Sequence, residues 1–174
     1  MTISSLSAAT TTVGGELFKD AFRAHPAGVA VVTAAGPDGP VGLTASSVAS
    51  VSADPPALAF SVSEGRSASQ LAGAGTVVVH LMGAQQLDLV RAFSTRGAPR
   101  FTDRMDWELL ASGEPLLRAA PWALRCEIAH RVPVGGSVLI AATVLDVRTV
   151  AGGGEPLVYH DRAFHCLGPH SRLP

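Results

Sequence analysis

Runs of β-branched and small apolar residues follow one another along this chain, and most are separated by turn residues and not by helices. Residues 28–33 read Gly-Val-Ala-Val-Val-Thr, and residues 36–40 supply a Gly-Pro-Asp-Gly-Pro turn. Extended structure resumes over residues 41–51 and breaks at Asp54-Pro55-Pro56. Neither proline there can donate to a ladder, and each holds its predecessor extended. Residues 57–63 and 76–82 read as further strands, the latter with three consecutive valines. Trp122, Leu124, Cys126 and Ile128 alternate with Ala123, Arg125, Glu127 and Ala129, the pattern of a strand with one buried face. Residues 137–150 form one long strand, and residues 157–159 and 163–166 flank His160-Asp161-Arg162 as a closing hairpin. Helical periodicity is confined to residues 16–25, 67–74 (with Ser67 as N-cap) and 84–93. Strand follows strand without regular strand–helix alternation. That argues against a doubly wound parallel sheet and predicts a mainly β domain, an antiparallel barrel with accessory helices.

A chain of 174 residues suits one domain, expected over residues 16–168 with short tails at 1–15 and 169–174. The net charge of −1 leaves no cationic excess to neutralise phosphates, which argues against nucleic acid as a partner. No stretch approaches the ~20 apolar residues that span a bilayer, and residues 1–15 carry no Lys or Arg, so they lack the basic start of a signal peptide. A cytoplasmic protein with no membrane partner is expected. Cys126 and Cys166 lack zinc-type spacing, and His160 with His165 has no third ligand nearby, so no metal site is expected.

Two segments carry the chemistry. In Gly42-Leu43-Thr44-Ala45-Ser46-Ser47, three hydroxyls fall within four residues of an otherwise apolar strand. Thr44 and Ser46 share one face there, and Ala45 and Ser47 the other. Such a row offers hydroxyls and amides to a flat, hydrogen-bonding ligand, or simply meets water at a sheet edge. Ser63-Glu64-Gly65-Arg66-Ser67-Ala68-Ser69 runs from a strand into a helix start. Free amides, two hydroxyls and Arg66 suit a phosphate there, although an ordinary Ser N-cap has the same pattern.

In this order and spacing, with Pro26-Ala27-Gly28, Asp54-Pro55-Pro56, Arg100-Phe101, Cys126-Glu127 and Pro156-Leu157-Val158-Tyr159, the segments resemble the flavin reductase-like family of FMN-binding split barrels. The family includes reductase components of two-component flavin-dependent monooxygenases. The resemblance runs from Phe18 to Leu167. It implies a six-stranded antiparallel split β-barrel of Greek-key type, a homodimer, and FMN or FAD near the dimer interface. It implies that Thr44, Ala45, Ser46 and Ser47 line the isoalloxazine and ribityl chain, that Ser61 and Val62 pass beside the ring, and that Ser67 and Ser69 hold the phosphate. Arg100 and Phe101 are implied on a loop near the flavin, and His160 lies in a turn that comes near the flavin or nicotinamide in the family.

One stretch departs from the family. Its reductases often carry Gly-Asp-His before the long strand, with the histidine at the nicotinamide site. Here Gly135-Gly136-Ser137 stands instead, and the glycine that usually follows is Ala142. Ser137 can donate a hydrogen bond but cannot act as an acid. The implied activity is an NAD(P)H:flavin oxidoreductase that passes reduced FMN or FAD to a separate monooxygenase, using NADH or NADPH. The alternatives are a split-barrel flavoprotein that holds its flavin tightly and acts on another small substrate, and a non-catalytic flavin-binding protein.

Overall fold

A computed structural model describes residues 14–149 and 154–174. Residues 1–13 of the expected N-terminal tail, and residue 150 at the end of the expected long strand, lie outside the described residues. The elements are α1 (Gly15–Arg23), β1 (Ala27–Gly28), β2 (Ala30–Gly36), β3 (Gly39–Ala45), β4 (Ala49–Ala53), β5 (Pro56–Ser63), α2 (Arg66–Gly73) and β6 (Thr76–Leu81). A 3₁₀ turn at Ala84–Gln86 leads into α3 (Leu87–Ser94), followed by β7 (Trp107–Leu109), β8 (Pro115–Leu117), β9 (Trp122–Val134), β10 (Ser137–Thr149), β11 (Leu157–His160) and β12 (Ala163–Cys166). The expected C-terminal tail contains a second 3₁₀ turn, Pro169–Ser171.

The mainly β architecture with accessory helices is as the sequence predicts, but the main sheet has seven strands, not six, in the order β3-β2-β6-β9-β10-β5-β4. Each neighbouring pair is antiparallel. Edge strands β3 and β4 are not paired with each other among the described residues, so the ladder does not close into a barrel. Part of the difference lies in residues 41–51, which the sequence presents as one extended run. The chain leaves the strand conformation at residues 46–48, and the two halves become the two opposite edges of the sheet.

Alternation sets the layers. Val32 of β2, Val77 and Val79 of β6, Phe60 of β5 and Ile140 of β10 face inward and pack around Leu71 of α2. On the opposite side of the sheet, Val31, Val90, Phe93 and Leu117 form a second cluster beneath α3 and β8. Strands β2 and β6 are therefore buried on both faces. For the same reason β9 departs from its expected single buried face: Ala123 is covered by Val78 and Leu116, while Trp122 is about half exposed.

Burial on both faces brings polar groups into the core, and each is satisfied. Thr33 Oγ1 donates to the Pro115 carbonyl at 2.5 Å. The fully buried His80 accepts the Leu117 N–H at Nε2 (3.0 Å), so Nδ1 carries its proton and donates to the Val31 carbonyl (3.0 Å). One imidazole thus ties β6, β2 and β8 together. Burial pushes its pKa down to about 4, against a smaller opposing effect of the Val31 carbonyl. Nearby, the buried Glu114 pairs with Arg125 at 2.9 Å. Burial raises its pKa, but hydrogen bonds from Ser112, Thr76 and Arg125 outweigh that and hold it at about 2.

Gly42 marks the closest approach between β3 and the outer cluster. A Cβ there would stand 2.6 Å from Phe93 Cε1 and 3.2 Å from Phe101 Cζ.

Two outcomes follow. His80 takes up a proton more readily when unfolded, near pH 6.5, than when folded, near pH 4, so its contribution is complete above 6.5 and lost as pH falls through that window. Denaturant titrations should show stability falling by up to about 3 kcal/mol across it, and His80→Gln should flatten that slope. Gly42→Ala should cost about 1–3 kcal/mol by overpacking, read as a lower Tm.

Candidate functional site

The curl of the sheet brings the end of β3 close to the end of β5. Pairing of β4 with β5 runs only from Ala53↔Pro56 to Ala49↔Ala59, so Ser61 lies beyond it with that edge open. The Ser47 hydroxyl fills the place of a neighbouring strand, accepting the Ser61 N–H at 2.9 Å and lying 3.2 Å from the Ser61 carbonyl, to which it donates. Above this junction lies a cavity of about 890 Å³, walled by residues 43–47, residues 61–63, the start of α2 and the loop 94–100. That is the size range of a small-molecule or cofactor site.

The start of α2 differs from expectation. The helix begins at Arg66, and Gly65, not Ser67, occupies the N-cap with no side-chain capping bond. Gly65 has φ +149°, a conformation that L side chains rarely adopt. The first turn closes with Ser69 N–H donating to the Gly65 carbonyl at 2.8 Å. Ser67 is therefore not used as a cap. Its hydroxyl lies 3.4 Å from Arg100 Nη1, on the cavity wall.

Of the residues singled out from the sequence, Thr44, Ala45, Ser46, Ser47, Ser61 and Val62 come together on this cavity, joined by Ser67 and Arg100. Ser69 and Ser137 do not line it. They share an adjoining hollow of about 220 Å³ with the Gly135-Gly136 turn, and Glu64 stands in the wall between the two spaces. Ser137 is placed there by its ladder pairing with Ser63. Phe101, at φ +55°, lies behind the wall, its ring edge-on to Phe93 and to Trp107, each at 5.2 Å. His160 is elsewhere, in a hollow beside α1 with Phe22, Arg23 and Tyr159, its ring 5.8 Å from that of His165. Within one chain the structure does not bring His160 to the cavity.

Sequence reasoning missed Ser94, Arg96 and Gly97, which form the wall facing α2. The available signal was a cation followed by a glycine just past the amphipathic α3, with Gly97 at φ +77° turning the chain back.

The cavity is polar. Hydroxyls and small side chains of β3 and β5 line it together with Glu64, Arg66, Arg96 and Arg100 and the uncapped start of α2. A flat, hydrogen-bonding ring carrying an anionic tail suits that lining, and a flavin phosphate is such a molecule.

Comparison with known proteins agrees. Residues 22–168 match the model of the flavin reductase like domain. The chain is 36% identical over 152 residues to an NADH:FMN oxidoreductase of Rhodococcus erythropolis, covering 85% of this chain and 79% of that protein. Among solved structures it is similar to a flavin reductase domain protein from Arthrobacter sp. FB24 (31% identity, TM-score 0.83, covering 90% of this chain and 97% of that one). It is also similar to the styrene monooxygenase flavin reductase of Pseudomonas putida S12 (28% identity, TM-score 0.77, covering 90% and 98%). The hydroxyl-lined junction of β3 and β5, the uncapped helix start and these likenesses lead to one conclusion: this chain belongs to the flavin reductase-like family.

Proposed function

We propose that this protein is an NAD(P)H:flavin oxidoreductase that reduces FMN or FAD and supplies the reduced flavin to a separate monooxygenase. The observation that carries the reading is the cavity itself, lined by the hydroxyls of β3, β5 and α2 and by three arginines. The named relatives support it: NADH:FMN oxidoreductases and NADH-dependent FMN reductases by sequence, and reductases of styrene monooxygenase and of a two-component tryptophan halogenase by structure. One neighbour is an NADH:FAD oxidoreductase in complex with NAD and FAD fragments.

The flavin supplies the hydride acceptor and the nicotinamide the donor, so the protein has to position them and keep the space between them dry. Thr44 and Ser46 offer hydrogen bonds toward the ring and ribityl chain, with the backbone of Ala45 between them. Ser47 holds the Ser61 backbone in place, and that in turn fixes Val62 at the cavity wall. Ser67 serves the phosphate. Ser69 and Ser137, across the Glu64 wall, are assigned to the dinucleotide side. No side chain here is asked to give or take a proton.

The reading extends to a homodimer. Val132 and Leu139 are an exposed cross-strand pair on β9 and β10, and Leu145 and Val147 further along β10 are exposed as well. Exposed apolar groups of this kind fit an association surface. A single domain over residues 16–168 with short tails fits the span of the family match. A cytoplasmic setting fits two cysteines that are both free, and no helix among the described residues is long and apolar enough to cross a membrane.

The test is NADH and NADPH oxidation by purified protein, followed by loss of the reduced nicotinamide absorbance with FMN or FAD added. Saturable oxidation that depends on added flavin is expected; flavin binding without oxidation would refute the reductase reading. Ser137→Ala should lower kcat/KM for NADH by about 2–10-fold, the worth of one neutral hydrogen bond, with flavin affinity unchanged.

A further inference from the structure

Among the described residues, Glu64 is the one acidic side chain on the cavity wall, and it is also the one acidic side chain on the hollow that holds Ser137. It is exposed, and it makes no hydrogen bond or ion pair among the described residues. The nearby Asp38 differs, because its Oδ2 accepts from Arg66 Nη2 at 3.0 Å and from Gln70 Nε2 at 3.4 Å. The backbone dictates where Glu64 stands. Ser63, the last residue of β5, is paired with Ser137, the first of β10. Glu64 and Gly136 are the next residues beyond that pair, and they meet at the end of the ladder. A Cβ on Gly136 would lie 3.4 Å from Glu64 Oε1 and 3.7 Å from its Cδ. The Gly135-Gly136 turn, with Gly135 at φ +55°, carries no side chain, so nothing from the turn fills the space beside the carboxylate.

A flavin phosphate and a dinucleotide diphosphate are both anions. A carboxylate beside them is repelled by each, unless it accepts a hydrogen bond from a neutral donor on one of them. Hydride transfer decides which donor comes near, because the reduced nicotinamide ring has to lie about 3–3.5 Å from the flavin ring. Glu64 borders the cavity itself, so the part of the dinucleotide beside it is the nicotinamide head and not the adenosine tail. The carboxamide of that head has a carbonyl that accepts and an NH₂ that donates. Ser137, with a hydroxyl that donates, and Glu64, with a carboxylate that accepts, stand on one hollow as the matching pair. We infer that Glu64 binds the carboxamide NH₂ of the nicotinamide while Ser137 meets its carbonyl, and that the two together orient the ring against the flavin. This deepens the flavin-reductase reading and rests on it.

The test is a cycle of calorimetric titrations. Wild type, Glu64→Ala and Glu64→Gln, each loaded with FMN, are titrated with NAD⁺ and with its 3-acetylpyridine analogue, which keeps the carbonyl but carries a methyl group in place of the NH₂. Both dinucleotides are oxidised, so binding is read without turnover. Glu64→Ala should weaken NAD⁺ by about 10-fold, the low end for a hydrogen bond to a charged group, and the analogue by less than about 2-fold. Glu64→Gln should recover part of the loss, because its side-chain carbonyl still accepts. FMN affinity, read by fluorescence quenching, and Tm should match the wild type in both variants. Equal weakening of the two dinucleotides in Glu64→Ala overturns the assignment and gives the carboxylate to a ribose hydroxyl. Weakened FMN overturns it in favour of a contact with the flavin, and an unchanged NAD⁺ affinity overturns it outright. In each of these cases NADH oxidation by the wild type leaves the reductase reading standing. A wild type that takes up FMN but neither binds NAD⁺ nor oxidises NADH overturns that reading and this inference with it.

Discussion

The bent pairing of β9 with β10 is the constraint on which the rest of the molecule depends. The two strands are each 13 residues long, and their register shifts twice, between Ala141 and Ala142 and between Val144 and Asp146. Each bulge adds twist and bends the strand that carries it. The hairpin holds β6 on one flank and β5 on the other, so its bend decides where the sheet edges go. In a flat sheet, the five spacings from β3 to β5 would separate those strands by about 24 Å. Here the Ser47 hydroxyl, just past the end of β3, sits 2.9 Å from the Ser61 nitrogen. The cavity is the gap left where the two flanks meet.

That curl requires a filled interior and a covered exterior. Leu71 of α2 fills the concave side among valines and Phe60, residues small enough to let strands bend around them. The convex side is covered by α3 and β8, and that second layer explains why the core contains a histidine and a glutamate. Where both faces of β2 and β6 are buried, hydrogen bonds between layers have to come from side chains, and His80 and Thr33 supply them. Stability and site geometry are coupled at Gly42, whose carbonyl holds Arg100 and whose missing side chain leaves room for Phe93.

Much of this was legible in the sequence because it is local. The valine-rich strands, the long strand from Ser137 and the closing hairpin are written in side-chain period and turn chemistry. The hydroxyl row at residues 44–47 was legible as chemistry, and its place in an ordered set of motifs made the family legible as well. Features set by distant partners were not. The break at residues 46–48 arises because Ser47 is captured by Ser61, 14 residues on. Gly65 displaces Ser67 from the cap because the chain must turn through a left-handed conformation before the helix. The burial of His80 depends on β8, 37 residues away, and nothing around it in the sequence announces that.

Because the cavity lies between two edges of one sheet and not within a closed barrel, its occupant is held by a seam. Entry and departure need no strand to unpair and no core residue to move; they require only that hydroxyl and guanidinium contacts along the seam be exchanged for water. The lifetime of the bound state then rests on those contacts along the seam. A protein built in this way can act as a station through which its ligand passes.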